Sequence, residues 1–74
     1  MYIFNQRRTV VYNTEKMATI YAENEVVYAE SGDGSLNELG YYKDDVISTR
    51  VFQKLCDALA DGKIAFYMPG KEGN

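Results

Sequence analysis

Residues 17–30 decide the fold of this chain, and their sequence is MATIYAENEVVYAE. Two runs rich in β-forming residues, 17–23 and 26–30, flank Asn24-Glu25, where asparagine tolerates the positive φ of a tight turn. The pattern therefore predicts a β-hairpin with a defined register. The opposed pairs in that register are Ala22 with Val27, Tyr21 with Tyr28, and Ile20 with Ala29.

The register sorts the side chains of the hairpin onto two faces. Because side chains alternate along a strand, the small and aliphatic residues share one face, which suits packing under a helix. These residues are Ile20, Ala22, Val27 and Ala29. Tyr21 and Tyr28 lie on the opposite face, with Tyr12 expected beside them. One helix cannot cover both faces of a sheet, so the tyrosine-bearing face is the predicted interaction surface.

From Asp44 onward, the apolar residues recur at three- and four-residue spacing instead of alternating. The apolar positions are Ile47, Val51, Leu55, Ala58 and Leu59. They predict one amphipathic helix at about 45–61, packed through this apolar stripe on the aliphatic face of the hairpin. Asp44 or Asp45 can cap the N-terminus of the helix, and Gly62 can adopt the left-handed conformation that ends it.

Four further runs are predicted strands: 1–5, 9–13, 36–42 and 64–68. The chain is therefore predicted to be α+β, with an antiparallel sheet of five to six strands and one helix packed on one face. Pairing of the first strand with the last is plausible, and other strand orders fit the same pattern. In the fifth strand, Tyr41 is assigned to the core and Tyr42 to the surface.

The length of 74 residues predicts a single small domain, 1–74, in which residues 71–74 form a frayed tail. A core of this size offsets the entropy of folding only narrowly, so a second copy or a protein partner is expected to add stability.

A net charge of −3 without histidine argues against a dedicated duplex-DNA binder. The single cysteine, Cys56, indicates a reducing compartment. No apolar run is long enough to span a bilayer, so we predict a cytoplasmic protein.

The sequence offers few candidates for catalysis. Cys56 lies in the middle of the helix, and the carboxylates fall at turns and at the helix start, where solvation and capping explain them. Residues 31–36, SGDGSL, contain glycines like a calcium loop, but aligning Gly34 with the invariant glycine of an EF-hand leaves its first and last ligand positions without acidic residues. We predict no catalytic residue, no metal site and no cofactor, and therefore a protein that is not an enzyme.

Tyrosine is the enriched residue, with seven copies in the chain. Tyr12, Tyr21 and Tyr28 therefore predict a protein–protein or self-association surface, and the alternative is that they cover the sheet within the molecule. Arg7 and Arg8 form a small basic spot that, with Tyr12, favours weak binding of single-stranded nucleic acid as a second hypothesis.

Four short segments carry a resemblance to a group of known proteins. They are residues 1–5 (MYIFN), residues 39–42 (LGYY), Val51-Phe52, and residues 66–69 (FYMP). With this pattern, the chain resembles short uncharacterised proteins of Gram-positive bacteria and their phages or prophages. The resemblance implies an intracellular α+β accessory protein with no catalytic residue. Small acidic phage proteins also include inhibitors of host defence, so a third hypothesis is an acidic inhibitor of a nucleic-acid-binding defence protein.

Overall fold

The structure, a computed structural model, describes residues 1–70; the tail predicted to fray, residues 71–74, lies outside the described residues. All six predicted strands and the predicted helix are present, so the α+β prediction is confirmed. The elements are β1 (Tyr2–Phe4), β2 (Val11–Asn13), β3 (Met17–Glu23), β4 (Val26–Ser31), β5 (Leu36–Tyr41), α1 (Asp45–Ala60) and β6 (Ala65–Tyr67). A 3₁₀ helix, Thr14–Lys16, joins β2 to β3.

The strands form two sheets of three, and the prediction of one antiparallel sheet of five to six strands is wrong. The β1 sheet has the order β2-β1-β6, and the β4 sheet has the order β3-β4-β5. The first and last strands do pair, but in parallel, with Ile3 opposite Phe66. The chain passes from β5 through α1 before it enters β6, and this helical crossover delivers β6 alongside β1 in the same direction.

Gln6 connects the two sheets just beyond the end of β1. Its N–H group donates a hydrogen bond to the carbonyl oxygen of Leu39 (2.8 Å), so the chain beyond β1 reaches the edge of β5. The next bond is made by the Gln6 side chain, whose Oε1 accepts from the N–H group of Tyr41 (2.9 Å). The segment after β1 and strand β5 are therefore joined by one backbone bond and one side-chain bond, and not by a ladder.

The hairpin formed by β3 and β4 has the predicted register. Tyr21 lies opposite Tyr28, and the other two predicted pairs are also present. Asn24 has a φ of 55°, which agrees with the positive φ expected at the turn. The register shifts at Ala18, the extra residue between Met17 and Thr19, which marks a β-bulge in β3.

A second bulge, at Leu39 in β5, overturns the assignment of Tyr41 and Tyr42. Glu38 lies opposite Tyr28 while Gly40 lies opposite Val27, so Leu39 is an extra residue. An extra residue shifts the alternation of side chains by one. Tyr41 is therefore directed outward and is 51% exposed, whereas Tyr42 is 1% exposed in the core. The prediction for this pair is wrong for that reason.

Helix α1 has the predicted ends, but only part of its predicted apolar stripe is buried, because Leu59 is 40% exposed. The Asp44 carboxylate accepts a hydrogen bond from the N–H group of Ile47 (2.9 Å), and Gly62 has a φ of 71°. Val51 and Leu55 are buried against the aliphatic face of the β4 sheet. The core cluster comprises Ile3, Val27, Ala29, Leu39, Tyr42, Val51, Leu55 and Met68. Within residues 1–70, no helix has both the length and the hydropathy needed to cross a bilayer.

Candidate interaction surfaces

The outer face of the β4 sheet, opposite the helix, combines tyrosines with glutamates. We call it the glutamate–tyrosine face, and the register defines it as Thr19, Tyr21, Glu23, Val26, Tyr28, Glu30, Leu36, Glu38 and Tyr41. It contains no lysine or arginine. Three tyrosines and three carboxylates therefore share one face of a three-stranded sheet without a basic residue among them.

Tyr21 and Tyr28 form the centre of this face. Their ring centroids are 5.3 Å apart and the ring planes are inclined by 32°, which is a favourable aromatic pair geometry. Both side chains are half-buried. The pKa of Tyr21 is raised, first by partial desolvation and then by the negative charges of Glu23 and Glu30. The pair is therefore an aromatic platform with the negative charges of Glu23 and Glu30 beside it.

Tyr41 and Leu36 extend the face along β5. Their side chains are 51% and 55% exposed, so large apolar area is open to solvent beside the tyrosine pair. Glu38 lies between them in sequence and is opposite Tyr28. Alternation alone does not identify Tyr41 as a surface residue, because the bulge at Leu39 determines its direction and no sequence signal marks that bulge.

Tyr12 is not part of the glutamate–tyrosine face. It lies in β2 opposite Ile3, in the other sheet, and packs against the core cluster. The structure therefore brings together two of the three tyrosines that the sequence predicted as a surface. Tyr12 has a packing role, which corresponds to the alternative that the sequence left open.

Arg8 is engaged in holding the loop between β1 and β2. Its guanidinium group donates hydrogen bonds to the carbonyl oxygens of Asn5 (3.0 Å) and Met68 (2.7 Å). It also lies 5.2 Å from the centroid of the Tyr67 ring, a cation–π distance. Phe4 stacks on the same ring with a centroid separation of 4.3 Å. The Arg8 guanidinium and the Tyr67 ring therefore already contact each other within the molecule. Arg7 is exposed in the same loop.

The outer face of the β1 sheet carries exposed aromatic residues that the sequence analysis missed. Tyr2 is 49% exposed, Tyr67 is 56% exposed and Val11 is 51% exposed. All three lie on strands of only three residues. Such strands are too short for alternation to separate an inner from an outer face in the sequence, so only the structure identifies this surface.

Asp33, in the glycine-containing loop, has a structural role. The Asp33 carboxylate accepts hydrogen bonds from the N–H and hydroxyl groups of Ser35, and these bonds lower the pKa of that carboxyl. This arrangement stabilises the loop between β4 and β5. Cys56 is exposed on α1. Among residues 1–70, no group of three or more histidine, cysteine or acidic side chains is arranged to hold a metal ion.

Comparison with known proteins gave no match to a family model, to a curated protein or to a solved structure. The resemblance to short proteins of Gram-positive bacteria and phages therefore stays a hypothesis. The glutamate–tyrosine face is the surface whose chemistry points to a partner.

Proposed function

We propose that this chain is a non-enzymatic protein-interaction module that binds a basic segment of a partner protein on the glutamate–tyrosine face. The observation that carries the proposal is the grouping of Tyr21, Tyr28 and Tyr41 with three glutamates on a face without a basic residue. A partner of positive charge supplies what this face lacks.

Both residue types on the face favour a cationic partner. The tyrosine rings bind lysine or arginine side chains through cation–π contacts, and they offer large contact area at a low cost in rotamer entropy. The carboxylates pair with the same cations and increase the rate of encounter. The contact between the Tyr21 and Tyr28 rings restricts both side chains before a partner binds, which lowers the entropy cost of binding.

An acidic inhibitor of a nucleic-acid-binding protein is the second candidate, and it uses the same face. The grouping of Glu23, Glu30 and Glu38 on one side favours it, because clustered carboxylates can occupy a basic groove in place of phosphates. The nucleic-acid-binding hypothesis has less support. Its two arginines lie in a loop where Arg8 already pairs with backbone carbonyls and with Tyr67.

A pair of model peptides tests the proposal. One fluorescent peptide is rich in lysine and arginine, and its matched control has glutamate at every basic position. We expect the basic peptide to bind, with an affinity that falls as the salt concentration rises, and the acidic peptide not to bind. Equal binding of both peptides, or no binding of the basic one, contradicts the proposal.

Substitutions then locate the site. Replacing both Tyr21 and Tyr28 with alanine is expected to weaken binding about tenfold, the equivalent of about 1.4 kcal/mol. Glu23→Gln with Glu38→Gln removes two exposed charges from the face and is expected to weaken binding and reduce its salt dependence. Glu15→Gln is the matched control, since Glu15 is exposed in the 3₁₀ helix and off this face. An equal loss of affinity in the control places binding elsewhere. Thermal melts of each variant establish that it is folded.

A competition assay separates the two candidates. If the chain is an acidic inhibitor, it releases a duplex oligonucleotide from a basic DNA-binding protein. The variant with both Glu23→Gln and Glu38→Gln then releases less oligonucleotide than wild type. Direct titration with a single-stranded oligonucleotide, with and without Arg7→Ala, tests the nucleic-acid hypothesis on the same samples.

A further inference from the structure

Strand β3 has a free edge. It lies at the end of the β4 sheet, and within residues 1–70 its ladder partner is β4 alone. It is seven residues long, whereas the edge strands of the other sheet, β2 and β6, have three residues each. The remaining edge strand, β5, is engaged by Gln6. A long edge strand with unpaired N–H and C=O groups is a template for another strand.

The register identifies the peptide groups that point away from β4. In a hairpin with a two-residue turn, the two residues that flank the turn, here Glu23 and Val26, hydrogen-bond to each other. The backbone N–H and C=O groups of Glu23 therefore point towards β4. The alternation of an antiparallel ladder then directs the N–H and C=O groups of Ala22 and Ile20 outward. The side chains of these two residues point towards α1, so an added strand enters beside the helix.

A groove lies between β3 and α1 at this edge. It has a volume of about 370 Å³, and its lining is mainly apolar. The strand contributes Met17, Ala18, Thr19 and Ile20 to it, the helix contributes Phe52, Cys56 and Leu59, and Thr14 completes the lining. Leu59 is 40% exposed, which leaves an open apolar side chain at the groove. An added strand with apolar side chains both pairs with β3 and fills this space.

Opposite charges at the two ends of β3 indicate which strand pairs with its free edge. Lys16 directly precedes β3, and Glu23 is its last residue. An antiparallel strand of identical sequence brings Lys16 of each copy towards Glu23 of the other, at both ends of the contact. We propose that β3 pairs antiparallel with β3 of a second copy, which gives a two-fold symmetric dimer with a continuous six-stranded sheet.

This dimer places the helices of both copies on the same side of the joined sheet, because the two-fold axis is perpendicular to it. Each α1 then covers the groove beside the other copy's β3, and the apolar residues of the two grooves meet. The two glutamate–tyrosine faces lie side by side on the opposite surface and remain open. The inference rests on the β3 edge, and it shares Glu23 with the glutamate–tyrosine face, so Ala18→Lys, which lies off that face, is the variant that separates the two proposals.

Amide hydrogen exchange and sedimentation across a concentration series test the pairing. We expect a monomer–dimer equilibrium in which protection of the Ile20 and Ala22 amides rises with protein concentration. The Tyr21 amide faces β4 and is expected to be protected throughout. A chain that stays monomeric at every concentration overturns the proposal, as does a dimer in which Ile20 and Ala22 exchange at the monomer rate.

Two sets of variants test the register and the groove. Ala18→Lys places a charge on the exposed edge and is expected to raise the dimer Kd about tenfold or more, while Leu36→Lys, on exposed β5, leaves it unchanged.

Lys16→Glu and Glu23→Lys are each expected to weaken the dimer, and the double variant to restore it. A double variant as weak as its parents, or an unaffected Ala18→Lys dimer, contradicts the pairing. Thermal melts show whether each variant is folded. Peptide binding is measured on the Ala18→Lys monomer, so failure of the dimer and failure of the proposed function are separate results.

Discussion

The hydroxyl group of Tyr42 donates a hydrogen bond of 2.8 Å to the carbonyl oxygen of Pro69, which lies 27 residues further along the chain. The Tyr42 side chain is 1% exposed, so this bond is made at the core. Together with the bond from Arg8 to the carbonyl oxygen of Met68, it holds the segment after β6 against the two sheets. The bulge at Leu39 is what turns Tyr42 towards this segment.

Tyr42→Phe is expected to lower the free energy of unfolding by about 1–2 kcal/mol. The substitution keeps the ring and removes only the hydroxyl, which leaves the Pro69 carbonyl oxygen without its donor. Tyr41→Phe is the matched control, since the Tyr41 side chain is 51% exposed, and we expect a change within about 0.5 kcal/mol. Urea denaturation of both variants checks the difference. Equal effects mean that the bond to Pro69 contributes no stability.

Alkaline pH is expected to destabilise the fold through the same residue. Burial raises the pKa of Tyr42 to about 12, from an ordinary value of 10. Between these two values the unfolded chain loses the phenolic proton while the folded chain keeps it, so the stability present below pH 10 decreases as the pH rises towards 12.

The difference between wild type and Tyr42→Phe isolates this effect from the other tyrosines. We expect the free energy of unfolding to fall more steeply for wild type than for Tyr42→Phe between about pH 10 and about pH 12. Parallel slopes for the two proteins are inconsistent with a raised pKa at Tyr42.

Gly40→Ala is expected to destabilise the fold by about 1–3 kcal/mol. A β-carbon at position 40 comes within 2.6 Å of the Tyr42 hydroxyl oxygen and within 2.8 Å of its ring. The ring is buried and hydrogen-bonded, so it cannot move away without loss. Gly32→Ala is the control, because the closest atom to its added β-carbon, the carbonyl oxygen of Lys16, is 4.0 Å away. Thermal melts compare the two variants. An unchanged melting temperature for Gly40→Ala means that the core beside Tyr42 has room for an added methyl group.

The sequence predicts the parts of the fold that local chemistry determines. The register of β3 and β4 follows from Asn24 at a two-residue turn, and Asp44 and Gly62 mark the ends of α1. The division into two sheets does not follow from local pattern. It depends on long-range strand pairing, such as that of β6 with β1, and the contact of Gln6 with β5 likewise has no signal in the sequence.

The candidate site is predictable to a similar extent. Tyr21 and Tyr28 follow from the hairpin register, because turn chemistry fixes which residues share a face. Tyr41 does not follow, since one extra residue in β5 reverses its direction. Tyr12 lies in a strand of three residues, and its contact with the core depends on the pairing of β2 with β1. Carboxylates that lie apart in sequence, such as Glu23 and Glu38, share a face only once three strands have paired.

Gln6→Ala is expected to loosen the junction between the two sheets. The Tyr41 N–H group loses its 2.9 Å acceptor, and because Tyr41 is exposed, water can replace the lost oxygen. We therefore expect a loss of about 1 kcal/mol or less in global stability, with a clear increase in the exchange rate of the Tyr41 amide. The Gln6 side-chain Nε2 has no hydrogen-bond partner within residues 1–70, so its removal offsets part of the cost. Arg7→Ala, at the exposed neighbouring position, is expected to leave that exchange rate unchanged. If Tyr41 exchanges equally slowly in wild type and Gln6→Ala, the Gln6 side chain does not close the edge of β5, and β5 becomes a second edge open to strand pairing.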